Sequence, residues 1–324
     1  MKKRIKFLFA ATLAIGLFMT STSLQAQTLD EIGTAYNSAI ELSKTDLSGA
    51  VTGMVSVADM CDKLGADADA IKANAVKVIP DWQYSIANGF LKDKNFDLAI
   101  PAFEKTIELA SRFNDNDVKE KASNQLPKVL FSKGNTLSKA DDFDGAISYF
   151  DRAIAMDPEY AKAFLMKGQA LKKKGDSDGM KTALDKAIEF AGKTNDTATI
   201  GNAKKIMGGD FLSRANNAFK AKNYNSAIDL ANTAVQYTPG SSAFLILAVS
   251  YNAVSKFDSA IDAANKGIEL EKAAEKISDF YFQIGKAYEG KKDTKNACAS
   301  YKKVTSGPNK AAADYQIKTV LKCQ

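Results

Sequence analysis

Histidine is missing from all 324 residues. With it go the commonest general base, the commonest metal ligand and every triad that needs an imidazole, so acid-base enzymology loses its usual starting point. Proline is scarce: six residues, few of them clustered, leave room for long helices. Long apolar runs are missing too. The stretch Phe7 to Met19 is of about 13 residues, too short to cross a bilayer comfortably. Only three cysteines occur, Cys61, Cys298 and Cys323, and only one tryptophan, Trp82.

What is present is an ordinary globular composition, 45% hydrophobic and 25% charged, which is neither disordered nor membrane-embedded. Lys2, Lys3, Arg4 and Lys6 stand ahead of the apolar stretch, and Thr20 to Ala26 follow it. That order of charge, apolar core and small residues is a secretory signal peptide over residues 1–26, with cleavage expected after Ala26. No cysteine sits near that point, so no lipid anchor is expected, and the shortness of the apolar run argues against a retained membrane segment. Without the leader, 40 Lys and Arg face 38 Asp and Glu, and the formal charge drops from +6 to +2. A nearly neutral chain gives no support to nucleic-acid or anionic-membrane binding.

The best-marked stretch is Phe143 to Pro158, with Gly134 upstream. Aromatics at Phe143 and Phe150 alternate with small residues at Ala146 and Ala153, and Pro158 ends the run. Small residues let two antiparallel helices approach while aromatics fill the space between them, a hairpin repeated about every 34 residues. Six units follow from this, anchored on Ala99, Ala146, Met180, Ala227, Ala260 and Ala297. Their first helices carry Ala87 and Phe90, Gly134 and Leu137, Gly168 and Leu171, Ala215 and Ala218, Ala248 and Tyr251, Gly285 and Tyr288. Asn95, Asp142, Asp176, Asn223 or Asp293 precedes most second helices and should accept from their free amides.

This pattern resembles the tetratricopeptide repeat. The resemblance implies an all-α fold, an α-α superhelix or solenoid of helical hairpins with a C-terminal capping helix. Residues 27–66 are assigned to a degenerate N-terminal repeat, with Ser38 and Glu41 where small and bulky apolar residues belong. About six hairpins occupy residues 67–305, and residues 306–324 form the cap, its stripe being Ala313, Ile317, Val320 and Leu321. Counted from Ala50, anchor spacings are about 49, 47, 34, 47, 33 and 37 residues, so three units carry about four extra helical turns. The surplus lies in Ala66–Pro80, Asn114–Leu126 and Asn195–Gly208, as extended first helices or short extra ones, with kinks or breaks expected at Pro80, Pro127 and Gly208-Gly209.

The resemblance also points to where a partner would lie. First helices line the inner face of such a superhelix. Five residues into the units stand Tyr84, Phe131, Leu165, Leu212, Leu245 and Phe282, and four further on Asn88, Asn135, Gln169, Asn216, Val249 and Lys286. The family likeness implies that the amides clamp an extended peptide while apolar neighbours hold its side chains. The competing reading puts the apolar set in the inter-repeat core and leaves the amides solvated. The likeness further sets Cys298 facing the cap that ends in Cys323, giving either a disulfide or two buried thiols, with Cys61 left over in either case.

Three imitations of ligand sites fail on their own terms. Ala187 to Thr194 ends like a phosphate loop but lacks the leading glycine and the preceding strand, and Gly192 is better explained as a helix C-cap. Asp142, Asp144 and Asp151, and likewise Asp176, Asp178 and Asp185, miss the first ligand and the closing Glu of a calcium loop. No metal and no cofactor are expected. The sequence therefore points to a non-catalytic protein- or peptide-binding scaffold of the cell envelope, exported to the periplasm or secreted by a Gram-negative bacterium, with self-association possible. The alternative is a glycan- or small-molecule-binding component of an envelope uptake system, to which one tryptophan and no anchoring cysteine lend little.

Overall fold

Fifteen α-helices follow one another in the computed structural model, which describes residues 28–323, with no strand among them. The leader assigned to residues 1–26 lies outside the described residues. The fold is all-α, a succession of helical hairpins. It divides into two units, Met1–Ala122 and Ser123–Gln324.

The first unit holds α1 (Leu29–Leu42), α2 (Leu47–Leu64), a single 3-10 turn at Ala66–Ala68, α3 (Asp69–Lys92) and α4 (Phe96–Arg112). Its core joins Ile32, Met54, Val57, Cys61, Ile79 and Leu109. A reciprocal cap starts α1: the Thr28 hydroxyl accepts from the Glu31 N–H, and the Glu31 carboxylate accepts from the Thr28 N–H. The close-approach residue of this hairpin is Ala39, not Ser38. Ala39 is buried opposite Gly53, whereas Ser38 is exposed and donates to the Thr34 carbonyl of its own helix. The unit is therefore one residue out of the register given by its sequence, which is why its pattern looks poor.

In the second unit, which begins inside α5 (Asn116–Lys139), come α6 (Phe143–Met156), α7 (Ala161–Lys174), α8 (Ser177–Lys193), α9 (Thr197–Lys220) and α10 (Tyr224–Tyr237). They are followed by α11 (Ser241–Ala253), α12 (Phe257–Leu270), α13 (Ala274–Gly290), α14 (Thr294–Lys302) and α15 (Lys310–Tyr315). Asn95, Asp142, Asp176, Asn223 and Asp293 each accept from the N–H three residues on, so each fixes the start of a second helix. The residue just before each cap closes the first helix in the left-handed region: Lys94, Asp141, Gly175, Lys222, Ser255 and Lys292, with φ from 55° to 82°.

Helix length follows from how the preceding hairpin ends. After Asn114-Asp115 and Asn195-Asp196, where each Asn has a positive φ, the next helices α5 and α9 run 24 residues. Past Pro158 and Pro239, α7 and α11 have only 14 and 13. The surplus sequence thus extends the first helices, α3 being 24 residues too. Pro80, Pro127 and Gly208-Gly209 do not break them; all lie inside continuous helices. At Gly208 the reason is visible: Thr238 from the end of α10 sits where a Cβ would be, 2.6 Å away, and its hydroxyl donates to the Lys204 carbonyl. The glycine is a seat for a neighbour.

The last hairpin is covered by α15, where Ala313 is buried and Ile317 and Leu321 pack against Tyr301 and Val304. Val320 leaves the stripe and is 48% exposed. The cap widens into a π-turn over Gln316–Val320, and that wider spacing rotates Val320 off the face an α-helix would give it.

Candidate peptide-binding face

Position five of the first helices is occupied by packing. Tyr84 meets Phe103 edge-on at 5.9 Å between ring centroids, Phe131 meets Phe150 at 5.9 Å and Tyr160 at 5.3 Å, and Phe282 meets Tyr301 at 5.6 Å. Phe103, Phe150 and Tyr301 belong to the second helix of the same hairpin, whereas Tyr160 stands at the start of the next first helix, α7. Leu165 is only 7% exposed, within a core that includes Met180, Leu184 and Met207; Leu212 leans on the same core. Leu245 packs into the cluster around Ala248 and Phe280. The physical reason lies three residues on. Phe131 and Gly134 share a face, and the Phe150 ring lies 2.6 Å from where a Gly134 Cβ would stand, so the same side of α5 that admits α6 carries Phe131. The apolar half of the predicted clamp therefore mostly builds core, within hairpins and, for Leu165, also against the next helix α9.

Four residues further round, the side chains divide. Asn88 turns back and donates to the Tyr84 carbonyl at 3.0 Å. Asn135 is partly buried, and its side-chain oxygen lies inside without a hydrogen-bond partner. Gln169, Asn216 and Lys286 instead each line an open recess of the second unit. Gln169 shares one of about 650 Å³ with Ser138, Lys139, Phe143, Lys172 and Ile206. Asn216 shares one of about 300 Å³ with Leu245, Ile246, Lys276 and Asp279. Lys286, together with Phe282, Glu289, Tyr301 and Gln316, lines one of about 570 Å³. The lysines gathered around Gln169 were missed in reading the sequence; the run Lys172-Lys173-Lys174 was the available signal.

Most other charged groups have structural duties. In the third recess the buried Tyr301 hydroxyl donates to Glu289 at 2.8 Å, and burial together with that carboxylate holds the phenol far above its ordinary value. Five of the six carboxylates in the calcium-like segments are similarly spent: Asp142 and Asp176 cap helices, Asp144 pairs with Lys174, Asp151 with Lys167 and Asp185 with Lys181. The phosphate-loop imitation is the C-terminal half of α8, with Lys193 paired to Glu159 at 2.6 Å. Gly192 lies inside that helix; the left-handed residue is Asn195. Among the described residues, no group of three or more His, Cys, Asp or Glu could hold a metal ion, and no helix is long and apolar enough to cross a membrane.

Cys298 in α14 is bonded to Cys323, with Cα atoms 5.7 Å apart, so the end of the chain is tied to the last hairpin. Cys61 is free and buried, and burial pushes its thiol above the ordinary value.

Comparison with known proteins bears first on the repeats. Tetratricopeptide-repeat family profiles match residues 131–179 and residues 278–306. These two stretches are tetratricopeptide repeats. The first match spans α6, α7 and their flanks; the second runs from α13 through α14. No curated protein matches. Among solved structures, the MamA protein is 23% identical, with a TM-score of 0.36, covering 61% of this chain and 97% of its own. YrrB, a TPR protein with an unusual peptide-binding site, is 18% identical at a TM-score of 0.35, over 67% of this chain and 98% of its own. The TPR2AB domain of yeast Sti1 in its pHSP90 complex is 17% identical at 0.30, over 75% and 93%. Scores this low leave the tetratricopeptide architecture to rest on the chain's own hairpins and on the two profile matches.

Proposed function

We propose that this chain is a non-catalytic scaffold of the cell envelope that holds a protein or an extended peptide against its first helices. One observation carries the reading: the same repeat position in α7, α9 and α13 places Gln169, Asn216 and Lys286 each at the wall of its own recess. Amides so placed can accept and donate to the backbone of an extended chain, which always offers both. The hairpins are already packed and capped before any ligand arrives, so binding would order the ligand rather than the receptor, and less free energy is lost to conformational entropy. Apolar contact with the ligand would come from side chains left at the recess walls, Ile206, Ile246 and Phe282, rather than from the buried Leu165.

The envelope setting rests on the charged, apolar and small-residue order of residues 1–26. There the scaffold would serve assembly or chaperone-like work. The test is photo-crosslinking in the native cell, with a photoreactive residue at position 169, 216 or 286 and, as control, at the half-buried Thr233 of α10, which lines none of these recesses. The reading requires a discrete protein adduct from the first three positions, weakened when Asn216→Ala and Gln169→Ala are combined. Equal or stronger adducts from position 233 would reject it.

A further inference from the structure

The recess beside Gln169 differs from the other two in its charge. Its walls come from the end of α5 (Ser138, Lys139), the turn and start of α6 (Asp141, Phe143), the last turns of α7 (Gln169, Lys172, Lys173) and Ile206 of α9. Lys174, next in sequence, is paired with Asp144. Lys139, Lys172 and Lys173 have no ion-pair partner among the described residues, and Asp141 is the one carboxylate lining the recess. Three ammonium groups against one carboxylate leave a net charge of about two. The C-terminal ends of α5 and α7 supply partial negative charge that offsets only part of it. Phe143 and Ile206 are half-buried while Lys139, Lys172 and Lys173 are exposed, so the inner wall is apolar and the outer wall cationic.

We infer that this recess takes an acidic segment of the partner polypeptide, with Asp or Glu side chains against Lys139, Lys172 and Lys173 and an adjoining apolar side chain on Phe143 and Ile206. The inference deepens the proposed function and rests on it. A volume of about 650 Å³ is far more than a lone phosphate or carboxylate fills and lies in the range of sites that enclose several side chains. The apolar inner wall and the Gln169 amide call for a ligand with side chains and a backbone. Charge complementarity at such an outer wall acts chiefly by steering and selection, so the preference for acid should fade as salt rises.

The test is fluorescence anisotropy on the purified chain with three labelled peptides: one alternating Asp or Glu with Leu or Phe, its counterpart with Asn and Gln in place of the acids, and its counterpart with Lys. Vesicles of anionic phospholipid form a fourth arm. We expect the acidic peptide to bind about tenfold tighter than the amide peptide at low salt, and Lys172→Glu with Lys173→Glu to remove that advantage. Lys266→Glu, a charge reversal at another site in the same unit, should change nothing. These lysines are exposed, and circular dichroism checks that the variants fold. Equal binding of acidic and amide peptides, unaffected by the lysine reversals, overturns this inference. If that binding still falls in Gln169→Ala or Asn216→Ala, the proposed function survives it. Failure of every peptide to bind overturns both. Vesicle binding that depends on the two lysines, without peptide binding, overturns both in favour of a membrane surface.

Discussion

Lys94, Asp141, Lys222, Ser255 and Lys292 all sit at φ values between 55° and 61°, where a Cβ crowds the following carbonyl; only Gly175 among the hairpin turns is glycine. The strain is about 1–2 kcal/mol at each, against about 0.5–1 kcal/mol of extra chain entropy that a glycine would lose. Lys222→Gly should therefore stabilise the chain by up to about 1 kcal/mol, seen as a higher melting temperature. Tyr301 gives the opposite case. Its ring is 1% exposed, fills the space above Gly285 and donates to Glu289. Because its folded pKa lies above the unfolded value, the folded state keeps a proton that the unfolded chain gives up, so stability is full below about pH 10 and declines above it. Tyr301→Phe should cost about 1 kcal/mol at neutral pH through the lost hydrogen bond and should flatten the alkaline decline; denaturant unfolding at pH 7 and near pH 11 measures both.

At the scale of helices, two adjacent glycines in α9 make a sharp contrast. A Cβ on Gly208 would stand 2.6 Å from the Thr238 hydroxyl oxygen, whereas one on Gly209 meets nothing within 4 Å. Alanine in place of glycine in a helix is favourable by about 1 kcal/mol where there is room. Gly209→Ala should raise stability by that amount. Gly208→Ala should lower it by about 1–2 kcal/mol, because overpacking at Thr238 exceeds the propensity gain. Chemical denaturation of the pair reads the difference directly. The C-terminal hairpin depends on a covalent link as well as packing. Cys298 and Cys323 close 25 residues, and a loop of that length contributes about 3 kcal/mol by restricting the unfolded chain. Reduction, or Cys298→Ser with Cys323→Ser, should speed hydrogen exchange in α13 to α15 and leave α1 to α3 unchanged, since coupling in stacked hairpins passes mainly to neighbours.

For the molecule as a whole, acid is the informative stress. Asp196 and Asp293 are held below the usual carboxylate range by backbone N–H groups at helix starts, and Glu271 by the Ser241 hydroxyl followed by two backbone N–H groups. A depressed folded pKa contributes stability that is present above the unfolded value, about pH 4, and is lost as pH falls through the folded one. The melting temperature should therefore hold from about pH 7 to 5 and drop below about pH 4. Asp293→Asn keeps a capping oxygen but no titrating group, so its drop should be shallower; an unchanged pH profile would rule out the cap as a source.

Much of this was legible in the chain because hairpins are local. Asn95, Asp142, Asp176, Asn223 and Asp293 name their own helices, since a cap acts within three residues, and Gly134 and Gly285 mark close approach to a ring one helix away. Position five was harder, because Tyr84, Phe131 and Phe282 look the same in sequence whether they face a ligand or a neighbouring helix. Only the tertiary packing turned them onto Phe103, Phe150 and Tyr301. The one-residue shift to Ala39 and the rotation of Val320 likewise needed coordinates, being set by what packs opposite. The sequence by itself determined the hairpins, their starts and the absence of imidazole chemistry, all properties of residues near one another along the chain. The tertiary structure alone decided which side chains are spent on the core and that Lys139, Lys172 and Lys173 meet around Gln169, because burial and charge accumulation depend on residues that the fold brings together from separate helices.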